Sequence, residues 1–313
     1  MDFYAIQERN KRRTIFLILV FTAILALLGY VLDFHYFNNH FPYMTILAIF
    51  IGGFQAFMGY VAGDKMVLHS VRARPADPEN LKEKQLINVV EELSIAAGLP
   101  TPKIYVMDDP SPNAFATGRD PEHASVCATT GLLEMMNREE LQGVMGHELT
   151  HIRERDILTM TMVAALAGAI GILAAISRNL IYFEGGRSRR RSRDSEGAGA
   201  GLIIFIIYIV LAILAPIIAR LLALAVSRAR EYAADAGSAE LTRNPLALAS
   251  ALRKIAGAPP MKHVNHGVAH LFISEPYKKR IAEKDSLWAN LWATHPPLQK
   301  RIALLEQMAH KYS

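Results

Sequence analysis

His147, Glu148 and His151 stand in the stretch 145–156, MGHELTHIRERD. On a helix, two histidines four residues apart emerge on one face, one turn from each other. Their imidazole nitrogens can then reach a single Zn²⁺ at about 2.0–2.1 Å. Glu148 lies about 100° round the helix, able to reach a metal-bound water without ligating the metal. With 11 histidines among 313 residues this spacing is only moderately specific. Two surface histidines on a charged helix would look the same, so a third ligand is needed.

The stretch 227–241, SRAREYAADAGSAEL, offers one. Glu231 and Asp235 are one turn apart, with small Ala233, Ala234, Ala236 and Gly237 around them. Small residues let two helices approach closely, as a site shared between helices requires. Glu231 suits a His₂Glu zinc site, and Asp235 can accept the ring N–H of a ligand histidine and fix its tautomer. Read alone, the pair would be two solvated acids of an exposed helix. Asn137 is a good N-cap for the histidine helix, with Glu140 three residues on to close a capping box. Leu141, Val144, Met145, Leu149 and Ile152 supply its apolar contacts.

The elements around these residues are strongly apolar. The chain is 51% hydrophobic and 20% charged, with a formal charge of +5. Four stretches, Ile15–Leu32, Tyr43–Ala62, Ile157–Ile176 and Leu202–Ala219, have the roughly 17–25 residues that cross a hydrocarbon core. None shows the polar face every 3.6 residues of a soluble core helix. Ile15–Leu32 has no small-residue cleavage site after it and reads as a retained signal anchor. Arg9, Lys11, Arg12 and Arg13 precede the first stretch, Lys65, Arg72 and Arg74 follow the second, and their connector has no lysine or arginine. By the positive-inside rule both ends of this hairpin face the cytoplasm.

The second pair is joined by a basic connector holding Arg187, Arg189, Arg190, Arg191 and Arg193. It lies on the wrong side for that rule unless the pair does not fully span or the first hairpin dictates topology. Its Gly, Ser and Arg content reads as disordered, and no aromatic interleaving supports nucleic-acid binding. Ala167, Gly171 and Ala175 recur every four residues, which suits close helix packing in lipid. The two half-sites flank this pair, so a hairpin through it returns Glu231 to the membrane surface that His151 left. Four segments follow: a hairpin at 1–63, the first part of a peptidase domain at 64–156, a second hairpin at 157–226, and the domain's second part at 227–313.

HELTH, EYAAD, NAFATG and THPPLQKRI, in this order behind two N-terminal spans, resemble the HtpX family of bacterial membrane zinc peptidases. That family is related to the CAAX prenyl endopeptidases and belongs to the gluzincin group. The resemblance implies a mostly α membrane protein, with four apolar helices and an α+β gluzincin-type domain containing a small sheet. It implies one Zn²⁺ on His147, His151 and Glu231, with Glu148 as catalytic base. It also implies cleavage of misfolded membrane or unfolded proteins at the cytoplasmic face of the inner membrane, as a stress response alongside other quality-control proteases.

KIYVM (103–107), NAFATG (113–118) and ASVCATTGLL (124–133) read as short strands before the zinc helix. An extended substrate can add to such an edge through main-chain hydrogen bonds; the resemblance puts Asn113 and Ala114 there. His295, held by Pro296 and Pro297, and Arg301 can reach the site from a C-terminal helix. By the resemblance His295 stabilises the oxyanion and Arg301 supports substrate binding beside it. Cys127, the single cysteine, excludes an intrachain disulfide and reads as a small buried hydrophobe. His263, His266 and His270 are too loosely spaced for a second metal cluster. A prenyl-dependent endopeptidase and a non-catalytic scaffold with structural zinc are the rival readings.

Overall fold

The computed structural model describes residues 3–36, 41–166, 228–261, 267–274, 276 and 295–312. Two long helices open the chain, α1 (Phe3–Tyr36) and α2 (Tyr43–Ser70). Asp33 closes their corner by accepting hydrogen bonds from the Met44 and Thr45 amides, each at 2.8 Å, which satisfies free N–H groups at the start of α2. Among the described residues, α2 is the one helix whose length and composition suffice to cross a membrane. It runs unbroken past residue 63, because nothing between Gly63 and Ser70 breaks a helix, and so carries the first hairpin into the next domain.

That domain is built on a four-stranded sheet. The strands are β1 (Arg74–Pro75), β2 (Lys103–Met107), β3 (Ala114–Gly118) and β4 (Ala124–Thr129), in the order β1-β2-β4-β3. β2 and β4 run parallel; the outer pairs are antiparallel. Successive side chains point to opposite faces of a strand. Val106, Ala114, Ala116, Val126 and Ala128 join the core under the peptidase helices, while Met107, Phe115 and Cys127 join a second core with Val67, Leu68 and Met160. The sheet is therefore covered on both faces, which accounts for every residue of β3 and β4 being buried.

Helix α3 (Leu81–Ala97) begins at an Asn80 cap and ends at Gly98, which adopts the left-handed conformation at φ 65°. After a short α4 (Thr130–Met135), helix α5 (Arg138–Arg153) carries the histidine motif. Both halves of the capping box between Asn137 and Glu140 are made. Helix α6 is described over Ile157–Leu166; beyond it come α7 (Arg228–Thr242), α8 (Pro245–Gly257) and α9 (Leu298–Tyr312). A Cβ at Gly143 would stand 2.8 Å from the Leu248 backbone, and one at Gly237 2.5 Å from Thr150. Glycine thus lets α8 and α7 cross α5 nearly in contact.

Helix α6 leaves the domain antiparallel to α2. Gly63 faces Thr161 and Gly59 faces Met162 and Ala165, so the start of the third apolar stretch runs back along the first hairpin. Thr14 and Thr159 share a 2.8 Å hydroxyl hydrogen bond, tying α1 to the same junction. The basic connector, the small-residue repeat at 167–175 and the fourth apolar stretch lie outside the described residues. Of the four expected membrane-spanning helices, α2 alone meets the length and composition needed among the described residues.

Candidate active site

The one-turn spacing on α5 brings His147 Nε2 and His151 Nε2 to 3.1 Å. Glu231, in the first turn of α7, adds its carboxylate at 3.9 Å from the first nitrogen and 3.7 Å from the second. All three side chains are buried, with ligand atoms within 4.8 Å of one another. The opposite ring nitrogens are tied down: His147 Nδ1 lies 2.9 Å from Asp235 Oδ1, and His151 Nδ1 lies 2.9 Å from Asp156 Oδ2.

Those two bonds fix what the rings can do. With each Nδ1–H donated to a carboxylate, both Nε2 lone pairs point at each other across 3.1 Å, beside a third anion. Such a cluster is repulsive unless a cation lies within it. Two imidazoles and a carboxylate are a donor set suited to Zn²⁺, and the residues fit that ion. The wider electrostatics agree. Burial opposes a charge on His151, yet Asp156 and then Glu231 push its pKa up to about 10, which favours positive charge at its Nε2, whether a proton or a metal ion in the proton's place. The surroundings thus demand positive charge at this point.

Asp235 is itself gripped. Arg301 Nε donates to Asp235 Oδ2 at 2.8 Å and Nη2 to Oδ1 at 2.7 Å. Burial works against ionisation of Asp235, but Arg301 outweighs it and keeps the carboxyl at about 2. Arg301 is fully buried, and its Nη1 donates to the Ile273 carbonyl at 2.8 Å. It therefore stands behind His147 as well as beside a main-chain carbonyl.

Glu148 is 1% exposed, and its Oε1 has no hydrogen-bond partner among the described residues. Burial, against the pull of His151, pushes this carboxyl up to about 8. His295, entering ahead of α9, sets Nδ1 3.0 Å from Glu231 Oε2 and leaves Nε2 buried without a partner among the described residues. Asn113 stands just ahead of β3 and Ala114 begins it, at the sheet edge beside α5. Asn113 is 3% exposed, its side-chain amide donating to the Ser274 carbonyl at 3.0 Å. Cys127 is buried, and burial raises its thiol pKa strongly. His270 is buried too, 3.0 Å from the Met160 carbonyl and away from any metal cluster among the described residues.

Asp156 had no place in the sequence expectations. Its role depends on the turn ending α5, where Arg155 takes a left-handed conformation at φ 56° and brings Asp156 back to His151. The only local sign was an acid soon after the second histidine.

A family model described as peptidase family M48 matches residues 80–309. A "Protease HtpX homolog" of Thermoanaerobacter pseudethanolicus is 46% identical over 306 residues, 97% of each chain. One from Streptococcus uberis is 43% identical, covering 96% of this chain and 98% of its own. A crystal structure of S. mikatae Ste24p aligns with a TM-score of 0.48 at 17% identity, over 96% of this chain and 66% of that one. With the family model spanning both halves of the metal cluster and the relatives matching nearly end to end, the chain belongs to peptidase family M48, among the HtpX proteases, and is a metalloprotease.

Proposed function

We propose that the protein is a zinc-dependent endopeptidase of a bacterial inner membrane that cuts misfolded membrane proteins at the cytoplasmic face. One observation carries the chemistry: two imidazole lone pairs and a carboxylate converge, each ring held by a carboxylate on its far side. His147, His151 and Glu231 would hold the ion, which supplies an acidified water and polarises the scissile carbonyl.

The chain's own groups supply the rest. Glu148, with one oxygen unpartnered among the described residues, takes the proton from the attacking water and returns it to the leaving amine. His295 Nε2, likewise without a partner among the described residues, donates to the oxygen on which charge develops. Asp235 and Asp156 hold the histidine rings in the tautomer that keeps Nε2 for the metal. Asn113 and Ala114 present the strand edge on which an extended substrate pairs, and Arg301 fixes a substrate carbonyl while orienting Asp235. Reading the backbone rather than side chains suits a protease of varied unfolded clients.

The membrane setting rests on α1 and α2. Phe16, Leu19 and Leu27 on α1 and Phe50, Phe54 and Phe57 on α2 are all exposed, the last three by 57–70%. Contiguous apolar surface of this kind is not tolerated in water and marks a lipid or partner face. The lysines and arginines at both ends of this hairpin support a cytoplasmic position for the peptidase domain. In reconstituted bilayers, a destabilised membrane protein should be cut in preference to a soluble unfolded chain. Equal rates on both, in detergent and in bilayers alike, would refute the membrane-client reading.

A further inference from the structure

The edge of β3 is already taken by another part of the same chain. Phe115 pairs with Phe272 in an antiparallel bridge, and the Ile273 amide donates to the Ala114 carbonyl at 2.9 Å. Asn113 grips the next residue from both sides, its Nδ2 donating to the Ser274 carbonyl at 3.0 Å and its Oδ1 accepting from the Ser274 amide at 3.4 Å. Arg301 Nη1 donates to the Ile273 carbonyl at 2.8 Å, while Nε and Nη2 hold the Asp235 that orients His147. Residues 273–274 thus have their amides and carbonyls engaged by one strand edge, one carboxamide and one guanidinium. An extended peptide entering beside the metal cluster would need these same partners.

We infer that Phe272–Ser274 is an internal pseudosubstrate that sits in the peptide-binding groove at rest and must leave before a client strand can pair with β3. The inference rests on the reading of Asn113, Ala114 and Arg301 as substrate contacts. The hold is main-chain and apolar: Phe272 and Ile273 are each 1% exposed, and the Phe272 ring meets Phe115 edge-on at 5.0 Å. The clients it implies are extended segments with large apolar residues at the two matching positions, as unfolded membrane spans are. Occupancy by the chain's own residues weakens a client's apparent affinity in proportion to the fraction of molecules closed. A freely open protease at a membrane surface is restrained in this way until a client competes.

The test uses the full chain in detergent, loaded with zinc, and unfolded β-casein as probe. In Glu148→Gln protein, amide hydrogen exchange at Ile273 and Ser274 is measured with and without saturating casein. Exchange there should rise several-fold when casein binds; amides that stay protected while casein is bound would overturn the inference. In the otherwise native enzyme, Phe272→Ala should lower the KM for casein several-fold with kcat little changed, and an unchanged KM in a folded variant would also overturn it. A synthetic peptide of residues 269–276 should inhibit competitively. Loss of zinc-dependent casein cleavage in the native chain would instead sink the protease reading on which the inference stands. Zinc-dependent cleavage with an unmoved 272–274 segment would sink the pseudosubstrate alone.

Discussion

Asp156 carries the sharpest prediction at the scale of single residues. It accepts the His151 ring N–H at 2.9 Å, is fully buried, and makes no contact a metal would need directly. Removing such a partner typically costs 10–100-fold in metal affinity, so Asp156→Ala is expected to lose about that much in competition with a zinc chelator. Unchanged affinity would mean that the His151 ring is oriented by something else. His147, Glu148 and His151 were legible in sequence because a helix turns spacing directly into geometry. Glu231 and Asp235 were legible for the same reason, one turn apart on their own helix. Asp156 was not, because its approach depends on the left-handed turn at Arg155, a conformation with no glycine to announce it. Nor could spacing show that Arg301 would be buried with both Asp235 oxygens in its grip.

At the scale of elements, the site depends on α5 and α7 approaching through Gly237. A methyl there would lie 2.5 Å from Thr150 Cγ2 and 2.6 Å from its Oγ1. Gly237→Ala should therefore push the helices apart, costing about 1–3 kcal/mol of stability and weakening zinc retention. Adding Thr150→Ala removes both clashing atoms and should recover most of each loss, read by thermal melting and metal content. Failure of the second change to rescue the first would place the strain elsewhere. Asn137→Ala removes the cap of α5 and should cost about 1 kcal/mol, read in urea unfolding. The cap, β2, β3 and β4 were visible as local patterns. The two-residue β1 and the return of Phe272 and Ile273 to β3 were not, since a pairing between distant segments leaves no local mark.

Across the whole molecule, two carboxyls link stability to pH. Hydrogen bonds from Arg74 hold Glu83 below the usual carboxylate range; Glu140 is held low against burial by Lys254, the Asn137 amide and Ser250. A depressed carboxyl contributes stability that is present above its unfolded value of about 4.3 and lost as pH falls through its folded one. The urea midpoint should thus drop as pH falls through and below about 4.3, and Glu83→Gln should shrink that drop. The apolar hairpin was plain in the sequence, because a long uncharged run is a composition signal. How the third apolar stretch docks on it was not, since that rests on Gly59 and Gly63 meeting Thr161 and Met162. The central claim, one catalytic zinc shared by α5 and α7, is tested most directly by metal content and cleavage measured together on three proteins. The native chain should bind one zinc and lose activity to a chelator, with zinc restoring it. Glu148→Gln should keep the zinc and lose cleavage, while Glu231→Ala should lose both. A Glu148→Gln protein that still cleaves, or a Glu231→Ala protein that holds its zinc, would contradict the account.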